Sequence, residues 1–177
     1  MKKNLAFIYL ILFTFPIVVN SQTKTDPEAR LKELGIQLIT PSVPVANYVK
    51  AVRVGRMVYL SGHGPDKADG SLVIGKVGSD LTLEQGRDAA RLAGISLLST
   101  LKAQIGDLNK VKRIVKVLGM VNAIPTFEKQ PQVINGCSDL MVEVFGENGK
   151  HARSSVGVAS LPTNIPVEIE MIVELKK

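Results

Sequence analysis

Near its C-terminus the chain alternates almost perfectly. Val167, Ile169, Met171, Val173 and Leu175 are apolar, while Glu168, Glu170 and Glu174 fall between them, with Ile172 as the exception. Successive side chains of a strand point to opposite faces, so this period of two predicts a β-strand with one buried face. A sheet built on it needs a covering layer on that face. Outside the first 21 residues the only aromatic residues are Tyr48, Tyr59, Phe127 and Phe145. The core must therefore come from Val, Ile, Leu and Ala.

The remaining elements supply the layer. Asn47–Gly55 and Arg56–Pro65 read as a hairpin around Gly55-Arg56, and Ser71–Ile74 as a short edge strand. Thr82–Gln104 is the clearest helix. Thr82 and Gln85 have capping-box spacing, and Ala90, Ala93, Leu97 and Leu101 form an apolar face with Leu98 and Ile105 beside it. Gly86 and Gly94 lower its propensity and leave room for a sheet to approach. Val111–Ala123 reads as a strand, with Val115, Val117 and Val121 on one side and Ile114, Lys116 and Leu118 on the other. Pro131 opens a second helix, with Val133, Cys137, Leu140, Met141 and Val144 buried, and Gly146–Gly149 ends it. Strands His151–Ala159 and Ile165–Leu175 follow. The order implies an α+β fold with both helices on one sheet face. The other face, mixed and glutamate-bearing, points to subunit contacts.

The N-terminus has a separate job. Lys2 and Lys3 precede the uncharged run Leu5–Val19, which contains Pro16, and a cleavage site fits at Ser21–Gln22. This is the pattern of a signal peptide, and it is too short for an ordinary membrane span. Residues 1–21 are read as a signal peptide, 22–46 as an N-terminal arm and 47–177 as the domain. Removing 21 residues from 177 leaves 156, and the loss of Lys2 and Lys3 lowers the formal charge from +6 to +4. The expected location is periplasmic or secreted, with no membrane attachment after cleavage.

Several chemistries are excluded. One cysteine cannot form an internal disulfide, and with two histidines it is too little for a typical zinc site. HExxH, CxxC, Walker-A and GxSxG patterns are absent. Lys110, Lys112, Arg113 and Lys116 form the densest basic stretch, but no aromatic residue lies within it, which argues against nucleic acid. Cys137, on an apolar helical stripe, reads as a core thiol. His63 and His151 read as surface polar groups. Arg153 is the most suggestive residue, because a guanidinium at a strand start can hold a carboxylate through two parallel hydrogen bonds. With a short turn at Leu161–Asn164, its strand would lie beside that of Glu168, and on residue types alone a structural Arg–Glu cross-strand pair is the favoured reading of the two. The Ser61-Gly62-His63-Gly64-Pro65 segment offers backbone groups to a ligand, or a hairpin exit needing glycine.

HARSSVGVASLPTNIPVEIEMIVEL resembles the C-terminal signature of the RidA/YjgF family: an Arg-Ser pair, a Val-x-Val-Ala-x-Leu-Pro run and an acidic alternating strand. ANYVKAVRVGRMVYLSGHGP resembles the family's opening hairpin. The resemblance implies a chorismate-mutase-like α+β fold and a homotrimer with ligand clefts between subunits. It also implies hydrolysis of 2-imino or 2-enamino acids to 2-oxo acids and ammonia, without metal or organic cofactor. On that pattern Arg153 clamps the substrate carboxylate and Glu168 positions water. Tyr48, Ser61 and Gly62 line the pocket with Ser155, and Asn135 and Ser138 are the two candidates for the second-helix pocket residue. Ser155 stands where the family often has cysteine, and Gly64 where it often has a larger residue. A trimer that binds carboxylates without turnover, or acts as a holdase, is the alternative.

Overall fold

The computed structural model describes residues 25–44 and 46–177. The signal-peptide reading falls outside them. Helix α1 spans Pro27–Glu33, α2 Leu83–Ile105 and α3 Gln130–Phe145. The strands are β1 (Ala51–Val54), β2 (Met57–His63), β3 (Val111–Asn122), β4 (Ala152–Val158) and β5 (Val167–Leu175). They form one sheet in the order β1-β2-β5-β3-β4. All neighbours are antiparallel except β3 and β4, the pair joined through α3. No helix among the described residues is long and apolar enough to cross a membrane.

The alternation of β5 decides how the sheet is covered. Val167, Ile169, Met171, Val173 and Leu175 are all buried, facing α2 and α3, which pack side by side on that face. Both helices lie where their apolar periodicity places them. Thr82 and Gln85 form the capping box through reciprocal bonds of 3.2 and 2.8 Å. The helical glycines serve a different contact from the expected one. A Cβ on Gly94 would stand 2.9 Å from Leu140 Cδ2, and one on Gly136 would overlap the Arg87 carbonyl. They bring α3, not the sheet, close to α2.

Three irregularities reset the register, the first between Val111 and Arg113 at the start of β3. In β3 the pairing with β5 shifts between Ile114 and Lys116. Ile114 therefore shares the buried face with Val117 and Val121, and Val115 is only partly covered. A bulge adds one residue and so reverses the side-chain alternation. In β2 the shift lies between Leu60 and His63, which puts His63 inward with Val58 and Leu60. The Ser71–Ile74 segment forms no strand; a single bridge joins Asp66 and Leu72. Helix α1 packs in the helix layer through Leu31, and Glu28 binds Lys102 at 2.6 Å and accepts from the Leu108 amide at 3.0 Å.

Candidate functional site

β4 is an edge strand, and its register fixes where its side chains go. Arg153 pairs with Val117 and Ser155 with Gly119, both on the helix-covered face. Partners in a parallel ladder share a face, so Arg153 points toward α3. One guanidinium nitrogen, Nη1, donates to Asn135 Oδ1 at 2.8 Å and to Ser138 Oγ at 3.0 Å. Asn135 and Ser138 are three residues apart on α3, so one helix face presents both. Both Nη1 hydrogens are thereby committed. Nε and Nη2 have no hydrogen-bond partner among the described residues, so the side-on fork of the guanidinium is available to an oxyanion.

Ser138 is itself held from behind. Its Oγ lies 3.1 Å from His151 Nε2, and His151 Nδ1 lies 2.7 Å from the Gly149 carbonyl. A carbonyl only accepts, so Nδ1 carries the proton and Nε2 accepts from the Ser138 hydroxyl. Burial is the main force holding the His151 pKa below its ordinary value, and the Arg153 charge adds to it. Cys137 lies on the same helix, fully buried, its thiol pushed up to about 12 by burial against the opposing influence of Arg153. It is a core thiol. Ser155, two residues beyond Arg153 on the same face, has a buried hydroxyl with no partner among the described residues.

Glu168 lies elsewhere. It pairs with Met120, on the face turned away from the helices. Its carboxylate packs over Gly62 in the β2 bulge, where a side chain on residue 62 would overlap it. Burial, and then the neighbouring Glu170 charge, raise its pKa. Ser61 is tied to the Lys50 carbonyl by its amide at 3.0 Å and its hydroxyl at 3.3 Å. Tyr48 lies just ahead of β1 with an exposed ring.

The expected site residues thus form two groups. Arg153, Asn135, Ser138 and Ser155 share the helix side of the β4 edge. Ser61 and Gly62 stand with Glu168 at the β2–β5 junction, ahead of which lies Tyr48. The expected adjacency of the strands of Arg153 and Glu168 does not occur, because β3 lies between β4 and β5. Nor are the two residues a cross-strand pair, since they occupy opposite faces. His63 is not a surface group. It is 1% exposed, with Nε2 2.8 Å from Thr100 Oγ1 and Nδ1 2.7 Å from the Ser61 carbonyl. His151 is likewise not superficial: it is half-buried behind Ser138, and no local pattern links it to a residue thirteen positions earlier. In the basic stretch, Lys110, Lys112 and Lys116 bind the Ile105 carbonyl, Glu174 and Ser154. Among the described residues no cluster of His, Cys, Asp or Glu is placed to hold a metal.

Fold and clamp define a class: a small α+β domain that presents an oriented guanidinium at the edge of its sheet. Comparison with known proteins narrows it. The family described as "YjgF/chorismate_mutase-like, putative endoribonuclease" matches residues 28–175. Protein TCP17 of Trypanosoma cruzi is 43% identical over 148 residues, 83% of this chain and 92% of that protein. A 2-iminobutanoate/2-iminopropanoate deaminase of Dermatophagoides farinae is 31% identical over 134 residues, 75% of this chain and 89% of its own. A crystal structure of a protein with unknown function from Agrobacterium tumefaciens superposes with TM-score 0.78 at 44% identity, covering 85% of this chain and 94% of the other. The chain belongs to the RidA/YjgF family and has its chorismate-mutase-like fold.

Proposed function

We propose that this protein is a deaminase that hydrolyses 2-imino acids, with their 2-enamino tautomers, to 2-oxo acids and ammonia. The observation that carries the reading is the guanidinium of Arg153. It is pinned at Nη1 by Asn135 and Ser138, and its Nε and Nη2 have no hydrogen-bond partner among the described residues. An oriented fork of this kind suits a planar carboxylate, and little freedom is lost when the anion arrives. A family-level deaminase role is supported by the Dermatophagoides farinae relative named as a 2-iminobutanoate/2-iminopropanoate deaminase.

In this reading the substrate carboxylate bridges Arg153 Nε and Nη2, which fixes the adjacent C=N carbon. Glu168 orients a water toward that carbon and accepts one of its protons; a pKa raised by burial makes it a stronger base than a solvated carboxylate. Water adds to C=N to give a carbinolamine. The nitrogen takes up a proton and leaves as ammonia while the hydroxyl oxygen becomes the ketone. Because Arg153 and Glu168 occupy opposite faces of one sheet, the Glu168 that meets a given Arg153 belongs to a neighbouring copy. A homotrimer with clefts between protomers supplies it, and the uncovered sheet face bearing Tyr59, Ile172, Leu118 and Val156 is the surface for that contact. The leader reading makes the protein exported.

The test is direct. Purified protein is added to 2-imino acids generated in situ by an amino-acid oxidase, and appearance of the 2-oxo acid is timed. Wild type is expected to accelerate hydrolysis, and Arg153→Ala to lose at least about 10²-fold, the cost of several kcal/mol of carboxylate binding. Equal rates for the two proteins would remove the deaminase reading. Binding of 2-oxo acids without any acceleration would leave a carboxylate-binding trimer instead.

A further inference from the structure

Arg153 is held in place by hydrogen bonds, and Glu168 is not. Among the described residues the Glu168 carboxylate has no hydrogen-bond partner. Its place is set by what it rests on. That is Gly62, where any Cβ would overlap Glu168 Oε1. Leu60 pairs with Met171 and His63 with Ile169, so Ser61 and Gly62 together stand opposite Glu170 in the β2 bulge. A bulge disrupts the ladder locally, and its backbone groups need other partners to hold one conformation.

Those partners lie on both sides of Ser61. Its amide and hydroxyl donate to the Lys50 carbonyl at 3.0 and 3.3 Å. Its own carbonyl lies 2.7 Å from His63 Nδ1. A carbonyl only accepts, so Nδ1 carries the proton, and Nε2 accepts from the Thr100 hydroxyl at 2.8 Å. Thr100 is a buried residue of α2. The helix layer therefore reaches the bulge through one imidazole, and all three polar groups of Ser61 are fixed. For filling the core beside Val58 and Leu60, a ring with two polar atoms is a costly choice, since an apolar side chain of similar size carries no desolvation penalty. What the ring adds is a fully paired network that admits one arrangement of the bulge.

Resting on the reading of Glu168 as the group that directs water, we propose that His63 is a positioning residue for the reaction. Anchored by Thr100, it holds the Ser61–Gly62 bulge so that the Glu168 carboxylate stands in one place. Helix α2 carries the anchor, β2 the bulge and β5 the carboxylate. The ring is turned into the core and touches no substrate, so it acts through geometry alone. Without the bond from His63, the peptide joining Ser61 to Gly62 is free to rotate, and the carboxylate resting on Gly62 shifts with it. Arg153, on the opposite face of the sheet, is unaffected, and substrate capture is preserved.

Steady-state rates of the purified protein on oxidase-generated 2-imino acids test this. His63→Leu fills the space but cannot donate to Ser61, and Thr100→Val leaves the ring without its anchor. A displacement of 1 Å costs about 10²-fold in rate, so a shift of part of that distance is expected to lower kcat about tenfold in each variant, with KM changed by less than about threefold. Thr100→Ser keeps the hydroxyl and is expected to recover most of the rate. Glu168→Gln is expected to lower kcat on the order of 10²-fold. Adding His63→Leu to it is expected to cost nothing more, because the group being positioned is already gone. A merely structural His63 would instead lower the melting temperature and reduce the rate by the same factor in both backgrounds. Wild-type kcat in either single variant, or the His63→Leu loss repeated in the Glu168→Gln background, overturns the proposal while leaving Glu168 in its role. If His63→Leu does not fold, Thr100→Val against Thr100→Ser gives the answer. Wild-type kcat in Glu168→Gln removes the water-directing reading and the positioning role together, as does a wild type that fails to accelerate hydrolysis.

Discussion

Replacing Gly62 by alanine places a methyl group where the Glu168 side chain lies. A Cβ on Gly62 would stand 2.7 Å from Glu168 Cδ and 2.8 Å from Cγ. Carbon atoms pack at about 3.5–4.0 Å, so the carboxyl group must retreat by roughly 1 Å. Gly62 has no positive φ, and alanine adds no backbone strain there. The perturbation therefore falls on the carboxylate more than on the fold. A catalytic group displaced by about 1 Å costs on the order of 10²-fold in rate. Arg153, on the opposite face, is untouched, so substrate capture is preserved. Gly62→Ala is expected to lower kcat about 10²-fold while KM changes by less than about threefold, the pattern of an interaction made mainly in the transition state. Initial rates over a range of oxidase-generated imine concentrations give both parameters, and a thermal melt of each protein checks the fold. A wild-type kcat in Gly62→Ala would refute Glu168 as the group that directs water. So would a loss expressed wholly as raised KM.

Two further outcomes concern the fold itself. Gly136→Ala forces a methyl group onto the Arg87 carbonyl of α2, a main-chain atom that cannot swing aside. A loss of about 1–3 kcal/mol, read from urea unfolding midpoints, is expected for such overpacking, and unchanged stability would mean that the α2–α3 crossing is looser than described. His63 is held neutral mainly by burial, below its ordinary value of 6.5. The unfolded chain binds a proton there first, so stability is full above about pH 6.5 and declines as pH falls toward the depressed folded-state value. His63→Gln is expected to flatten this decline in urea melts between pH 7.5 and 5, and an equally steep decline in the variant would exclude His63 as its source.

How much of this was legible in the sequence depends on the range of each signal. The β5 alternation and the apolar faces of α2 and α3 are local periodicities, and every residue placed in the core from them is buried. The Thr82–Gln85 cap is equally local. The register shifts at Ser61–Gly62, Lys112 and Val115 are not legible, because an extra residue in a strand is defined by its partner across the ladder. Strand order was hidden for the same reason: the turn at Leu161–Asn164 is short, yet β5 pairs with β2 and β3. Two consecutive residues there, Thr163 and Asn164, adopt positive φ of 52° and 58°, a conformation unusual for threonine. In the candidate site, Arg153 and Glu168 stood out by residue type and resemblance. Asn135 and Ser138 are alternatives on the sequence, and the structure brings both to the guanidinium. The role of His151 was invisible, since it depends on the tertiary approach of α3 to the start of β4.

The opposite-face placement of Arg153 and Glu168 also has a genetic consequence. In the proposed trimer, each protomer lends its arginine to one crevice and its glutamate to another. A gene copy encoding Arg153→Ala and one encoding Glu168→Gln would each be inactive alone. Expressed together, their products would co-assemble, and some crevices would combine the intact arginine of one with the intact glutamate of the other. Two defective alleles would then restore part of the phenotype, an interallelic rescue unavailable to an enzyme whose essential pair sits within a single polypeptide.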